Sequence, residues 1–322
     1  MEEIRISDIK GFRIGSAQDE AAGTGCTAVI CEDGAMPGGD VRGGGPASRE
    51  TASLESEKMC ESVHCVMLSG GSAYGLASCD GAMRFLEEHG SGFMTPAGIV
   101  PIVTGACIFD LGCGDSSVRP GPEMGYAACE DAYSGSEVRS GNFGAGTGAT
   151  VGKLDPSRKM KAGLGSYAVR AGHVSIGAVT SVNSFGNVYD YDTGRPLAGM
   201  MDENGKDIVD ITRLMYEKID VDFEPYEPKM ENTCITCIIT DAALEKRDCN
   251  RIAQIAHNGY AKTIAPVHTS ADGDAIFVLS YGDKKADVDT LAMLAVEVTG
   301  RAINNAVLEA KTAYGVKAAC DL

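Results

Sequence analysis

The run Thr233-Cys234-Ile235-Thr236-Cys237-Ile238-Ile239-Thr240-Asp241 constrains this chain more than any other stretch. β-Branched residues dominate it and neither glycine nor proline interrupts it, so it reads as a buried β-strand. The residues before it, 189–231, are acidic and turn-rich, with one helical piece over 208–219, and read as an exposed connector. A strand that begins abruptly at Asn232-Thr233 after such a connector is a place where a chain can cut itself. The Thr233 hydroxyl attacks the Asn232 carbonyl, the peptide becomes an ester, and water finishes the break. The new terminus is a threonine carrying its own base, since an α-amine has a pKa of roughly 7.7–8.0 and pairs with a hydroxyl as an activated nucleophile. The plainer alternative is an ordinary buried strand with a polar first residue, and Asn-Thr alone does not separate the two.

At 322 residues, 44% hydrophobic and 23% charged, the chain is of the globular class and long enough for one large domain or two ordinary ones. A formal charge of −17 argues against nucleic acid or an anionic membrane as partner, because phosphate contact needs clustered Lys and Arg. No apolar run reaches membrane-spanning length, and the start Met1-Glu2-Glu3-Ile4-Arg5 is charged where a signal peptide is basic and then apolar; the expectation is a cytoplasmic protein. The twelve cysteines lie scattered through apolar runs, as small buried hydrophobes do.

Strands are expected over 26–31, 64–68, 102–108, 163–169, 173–182 and 276–280, and helices over 48–62 with Ser48 as N-cap, 73–89, 123–133, 245–264 and 287–312. The glycine-dense stretch from Gly38 to Pro46 points to tight turns or close backbone approach, with a flexible linker as the alternative; Arg42 and Arg49 line a pocket there or are solvated. The turn Ser69-Gly70-Gly71-Ser72 partly matches a nucleophile elbow, but Tyr74 stands where the second glycine belongs, which favours a cap or turn role for Ser72. The loop from Gly144 to Lys153 fails the phosphate-loop spacing, and Leu154 follows the lysine where a hydroxyl is required. Gly144, Gly146 and Ala149 satisfy only the loose dinucleotide pattern. Cys234 and Cys237 fall on opposite faces of a strand, which argues against a metal site, and the five histidines are scattered, with core or surface roles expected. No cofactor is expected.

The ordered motifs Asp40-Val41-Arg42-Gly43-Gly44, Ser69-Gly70-Gly71-Ser72-Ala73-Tyr74-Gly75-Leu76, Gly144 through Lys153, Val182-Asn183-Ser184-Phe185-Gly186 and Asp272-Gly273-Asp274 together resemble the DmpA-like family of self-processing hydrolases, across nearly the whole chain. That family holds L-aminopeptidase/D-esterases, β-aminopeptidases and the nylon-oligomer hydrolase. The resemblance implies an α/β fold, an αββα four-layer sandwich like the N-terminal-nucleophile hydrolases with different connectivity. It implies one domain over 1–322 that cuts between Asn232 and Thr233 into 1–232 and 233–322, and a homotetramer of processed protomers. It makes Thr233 the nucleophile, sets Lys153 and Asn183 beside it, and makes Asp272 and Asp274 an acidic pair more similar to the nylon-hydrolase branch. The chemistry suits these residue types. The Asn183 amide can donate to an oxyanion, Lys153 supplies positive charge that keeps the amine neutral, and the two carboxylates orient amine and hydroxyl. The substrates implied are small peptides, amino-acid amides or esters, or linear oligoamides. Two rivals remain: a serine hydrolase using Ser72 with His257 or His268, and a nucleotide or anion-binding module using the Gly144 to Lys153 loop.

Overall fold

The computed structural model describes residues 1–217, 219 and 232–322, so the last part of the acidic connector, 220–231, and Lys218 lie outside the described residues. The large sheets are built from β1 (Glu2–Ile4), β2 (Arg13–Asp19), β3 (Thr24–Val41), β4 (Ser48–Arg49), β5 (Val63–Ser69), β6 (Val103–Cys107), β7 (Leu164–Ala171), β8 (Val174–Asn183), β9 (Thr233–Ala242) and β10 (Ala275–Lys284). Hydrogen bonding runs in the order β1-β7-β8-β9-β10-β3-β5-β6-β4, with β2 on the other side of β3. The single long strand β3 belongs to two sheets. Its first half pairs with β2 and β5, its register shifts between Ile30 and Ala35, and its second half, Met36 to Val41, pairs with β10.

Alternation along the strands separates three cores. Ile235, Cys237 and Ile239 of β9, with Phe277 and Leu279 of β10, meet Val29, Val66 and Leu68 between the two sheets. Cys234 and Ile238 point the other way, onto α4 (Lys246–Thr263) and α5 (Val288–Leu308). On the far side Cys26, Ala28, Ile30, Cys65 and Met67 pack on α1 (Ser78–Glu88) and α2 (Pro122–Ser134). The result is four layers, helices, sheet, sheet, helices, as the αββα expectation requires. Each buried Ile, Leu or Val side chain contributes about 1.5–3 kcal/mol, and β9 accordingly carries no charged residue before Asp241. The parallel pairs β5 with β6 and β9 with β10 need crossovers, supplied by α1 and α4. The short helix Ile211–Glu217 falls within the predicted 208–219.

The expected helix over 48–62 does not form. Ser48 and Arg49 pair with Ala106 and Gly105 at the sheet edge, and only a 3-10 turn, Thr51–Leu54, follows. Leu54 alone is buried there while Met59 is exposed, so the segment has no apolar stripe to hold a helix. All cysteines but Cys60 and Cys320 are buried, and among the described residues, which include all twelve, none is bridged. No helix among the described residues is long and apolar enough to cross a membrane.

Candidate active site

Thr233 opens β9 opposite Asn183, the last residue of β8, as the register of the two antiparallel strands dictates. Both have the parity of the residues that face the space between the sheets, so the hydroxyl and the amide start from neighbouring points on one surface. The Asn183 Oδ1 accepts from Lys153 Nζ at 2.7 Å and from the Thr150 amide at 3.0 Å, while its Nδ2 donates to the Phe109 carbonyl at 2.9 Å. Lys153 Nζ also donates to the Asn183 carbonyl at 3.1 Å. Burial, aided by the charge of Lys159, brings the Lys153 ammonium down to about 7. A narrow cleft lined by Phe109, Cys113, Thr150, Lys153, Pro156 and Lys159 leads to it. A wider groove of about 910 Å³ runs along residues 2–8 and 137–140 and touches none of the site residues.

The acidic pair lies on the other side of Thr233. Asp274 Oδ1 accepts from the Cys234 amide at 2.7 Å, and its Oδ2 accepts from His268 Nδ1 at 2.8 Å and the His268 amide at 3.2 Å. Asp272 Oδ2 accepts from the Thr269 amide at 2.9 Å and hydroxyl at 2.6 Å, and Oδ1 from the Phe185 amide at 3.3 Å. Burial and then the neighbouring Asp274 raise Asp272 to about 6. Between the two carboxylates the Gly273 amide donates to both the Thr233 hydroxyl, at 3.1 Å, and the Asn232 carbonyl, at 3.2 Å. The Thr233 hydroxyl itself hydrogen-bonds that carbonyl.

The glycine-dense stretch builds this corner by close approach. The amides of Arg42 and Gly43 donate to the Asp274 carbonyl, and that of Gly45 to the Asp272 carbonyl. A β-carbon on Gly43 would fall on the Asp274 amide and the Asp272 carbonyl. Arg42 reaches Asp40 and Arg49 reaches Asp80.

Sequence reasoning missed two contributors. The Gly273 amide is backbone, whose only signal is a residue without a side chain. His268, expected in a core or surface role or as a partner of Ser72, instead bonds Asp274 and faces His257 with ring centroids 4.7 Å apart. Ser72 sits at a left-handed φ of 54° beginning a 3-10 turn, with its amide on the Ile108 carbonyl. Among the described residues no hydrogen bond joins it to His257 or His268, which serve Asp40 and Asp274 instead. The Gly144 to Lys153 loop is buried, and its amides are already used: those of Gly146, Thr147, Ala149, Gly152 and Lys153 donate to backbone carbonyls and that of Thr150 to Asn183 Oδ1. It therefore offers no open cradle for a phosphate.

A profile of peptidase family S58 matches residues 5–320. The chain belongs to peptidase family S58. This S58 protein is 36% identical to an uncharacterized aminopeptidase of Mycobacterium leprae over 98% of its own length and 93% of that relative's. It is 30% identical to the 6-aminohexanoate-oligomer endohydrolase of Paenarthrobacter ureafaciens, covering 85% of this chain and 74% of that enzyme. Its fold is similar to that of the L-aminopeptidase D-Ala-esterase/amidase of Ochrobactrum anthropi, a variant of the Ntn hydrolase fold. The TM-score is 0.68 at 18% identity, over 95% of this chain and 86% of that one. Membership makes the S58 protein a hydrolase of peptide or amide bonds.

Proposed function

We propose that this protein cuts its own chain between Asn232 and Thr233 and then works as an N-terminal threonine hydrolase on amide or ester bonds. The observation that carries the reading is the double donation by the Gly273 amide to the Asn232 carbonyl and the Thr233 hydroxyl. In the first reaction Thr233 Oγ1 bonds to the Asn232 carbonyl carbon, and the charge that develops on the carbonyl oxygen meets the Gly273 N–H. The carbon–nitrogen bond breaks, the hydroxyl proton ends on the departing α-amine, and water hydrolyses the ester. Asn232 then ends in a carboxylate and the Thr233 hydroxyl is restored beside its new amine.

In the second reaction Thr233 Oγ1 attacks a substrate carbonyl while the α-amine takes its proton. The Gly273 amide and the Asn183 side chain are the donors we assign to the oxyanion. Lys153, bonded to Asn183, sets the charge around the amine, and Asp274 fixes the start of β9 through the Cys234 amide. The acidic pair and the relatives favour short peptides, amino-acid amides or linear oligoamides as substrates. We extend the reading to a cytoplasmic homotetramer of processed protomers.

Denaturing gels and N-terminal sequencing test the proposal. The purified protein is expected as two fragments, the smaller beginning Thr-Cys-Ile-Thr, and T233A as one inactive chain. An active, unbroken polypeptide overturns it.

A further inference from the structure

We infer that His268 is a positioning residue for the acidic pair, locking the Asp274 carboxylate onto the Cys234 amide behind the nucleophile. This rests on the reading of Thr233 given above.

The two carboxyls differ in what surrounds them. Asp274 is held at three points by nitrogen, the Cys234 amide on Oδ1 and the His268 amide and Nδ1 on Oδ2, with Nδ1 donating in the tautomer that serves a carboxylate. Asp272 faces the Thr269 hydroxyl, which can turn from donor to acceptor when the carboxyl is protonated. The hold on Asp274 Oδ2 is made by one residue. His268 stands at a φ of 55°, a region that a non-glycine residue holds only when its surroundings demand it. That conformation brings its amide and its Nδ1 onto the same oxygen of Asp274.

The ring is held from α4. Tyr260 stacks on it at 5.7 Å and His257 meets it edge-on. Among the described residues Nε2 of His268 has no hydrogen-bond partner, so the Asp274 bond is the polar contact that orients the ring. The other titratable and charged groups facing this corner are Asp40 and Arg42 at the end of β3, Cys234 on β9, and Lys153 across the site. Asp40 and Arg42 pair at 2.7 Å, and burial pushes His257 down to about 3, so it stays neutral in the working range.

The test compares H268F, which keeps a ring and drops the donor, with H268N, which keeps an N–H near the Nδ1 position and drops the ring. The readout is the pH profile of kcat/KM for processed enzyme on an amino-acid p-nitroanilide. Losing a donor to the anion makes the pair hold its proton more tightly, so H268F is expected to move the acid limb up by about one pH unit. H268N is expected to leave the limb within about 0.3 unit of the wild type. If H268F does not fold, H268A drops the donor without adding bulk at the left-handed position. An unmoved limb in the donor-free variant, or equal shifts in both variants, overturns the inference. N-terminal sequencing of the small fragment is done alongside. A wild-type fragment that does not begin at Thr233 sinks the self-processing reading, whereas correct fragments with an unmoved limb sink only the role of His268.

Discussion

The Gly273 amide donates to the Thr233 hydroxyl at 3.1 Å, and a β-carbon on Gly273 would stand 2.7 Å from that same oxygen. The position therefore admits no side chain while the donor stays in place. G273A is expected to slow chain cleavage at least about a hundredfold, the usual cost of removing one oxyanion donor. The appearance of the small fragment on denaturing gels measures this, and cleavage at the wild-type rate would show that the amide has no part in it.

Asp272, raised to about 6 by burial and by Asp274, predicts an acid limb in the pH profile of the processed enzyme. Activity is expected to rise with pH through about 6 as this carboxyl ionises and orients the site. D272N, which cannot ionise, is expected to be less active and to lose the inflection near 6 in a kcat/KM titration, keeping only the rise that belongs to the α-amine.

Lys161 gives a stability signature. Burial lowers its ammonium to about 7, against roughly 10.4 in an unfolded chain. Between these values the unfolded state binds more protons, so the free energy of unfolding climbs with pH. Relative to K161M, the wild type is expected to gain about 1.5 kcal/mol between pH 7 and 8.5, read by urea titration. Buried thiols act with the opposite sign. Burial raises Cys26, Cys107 and Cys237, so their contribution is complete below the unfolded thiol value near 8.5 and is lost above it. Stability of the wild type is therefore expected to peak close to pH 8.5.

Gly43 lies against the backbone of the acidic pair, so G43A must push residues 272–274 away. Overpacking of this kind costs about 1–3 kcal/mol. The displacement also moves the Gly273 amide off Thr233, and G43A is expected to lower both the denaturation midpoint and the fraction of cleaved chain. A stable, fully cleaved G43A would show that the loop yields elsewhere.

Much of this architecture is legible in the residues because burial writes itself as alternation. Cys234 and Cys237 were expected on opposite faces of one strand, and they enter different cores. The glycine-dense stretch was read as close approach, and Gly43 and Gly45 do wrap the loop that carries Asp272 and Asp274. The 48–62 segment misleads because helix-forming residues there bring one buried anchor, Leu54, and the edge of β6 captures its first two residues. The pairing of His268 with Asp274, rather than with Ser72, escapes the sequence for a different reason. It depends on a left-handed backbone and on aromatic rings from α4, neither of which leaves a local pattern.

The place of β9 and β10 has a consequence for any break before Thr233. These two strands lie between β8 on one flank and β3 on the other, and both helices that cover them, α4 and α5, belong to the same 233–322 segment. A nick there would free an end without freeing a piece. The shorter polypeptide would remain seated as a keystone, and the larger one, deprived of it, would be an arch with its centre missing, so the halves would survive purification together and refold only in each other's company.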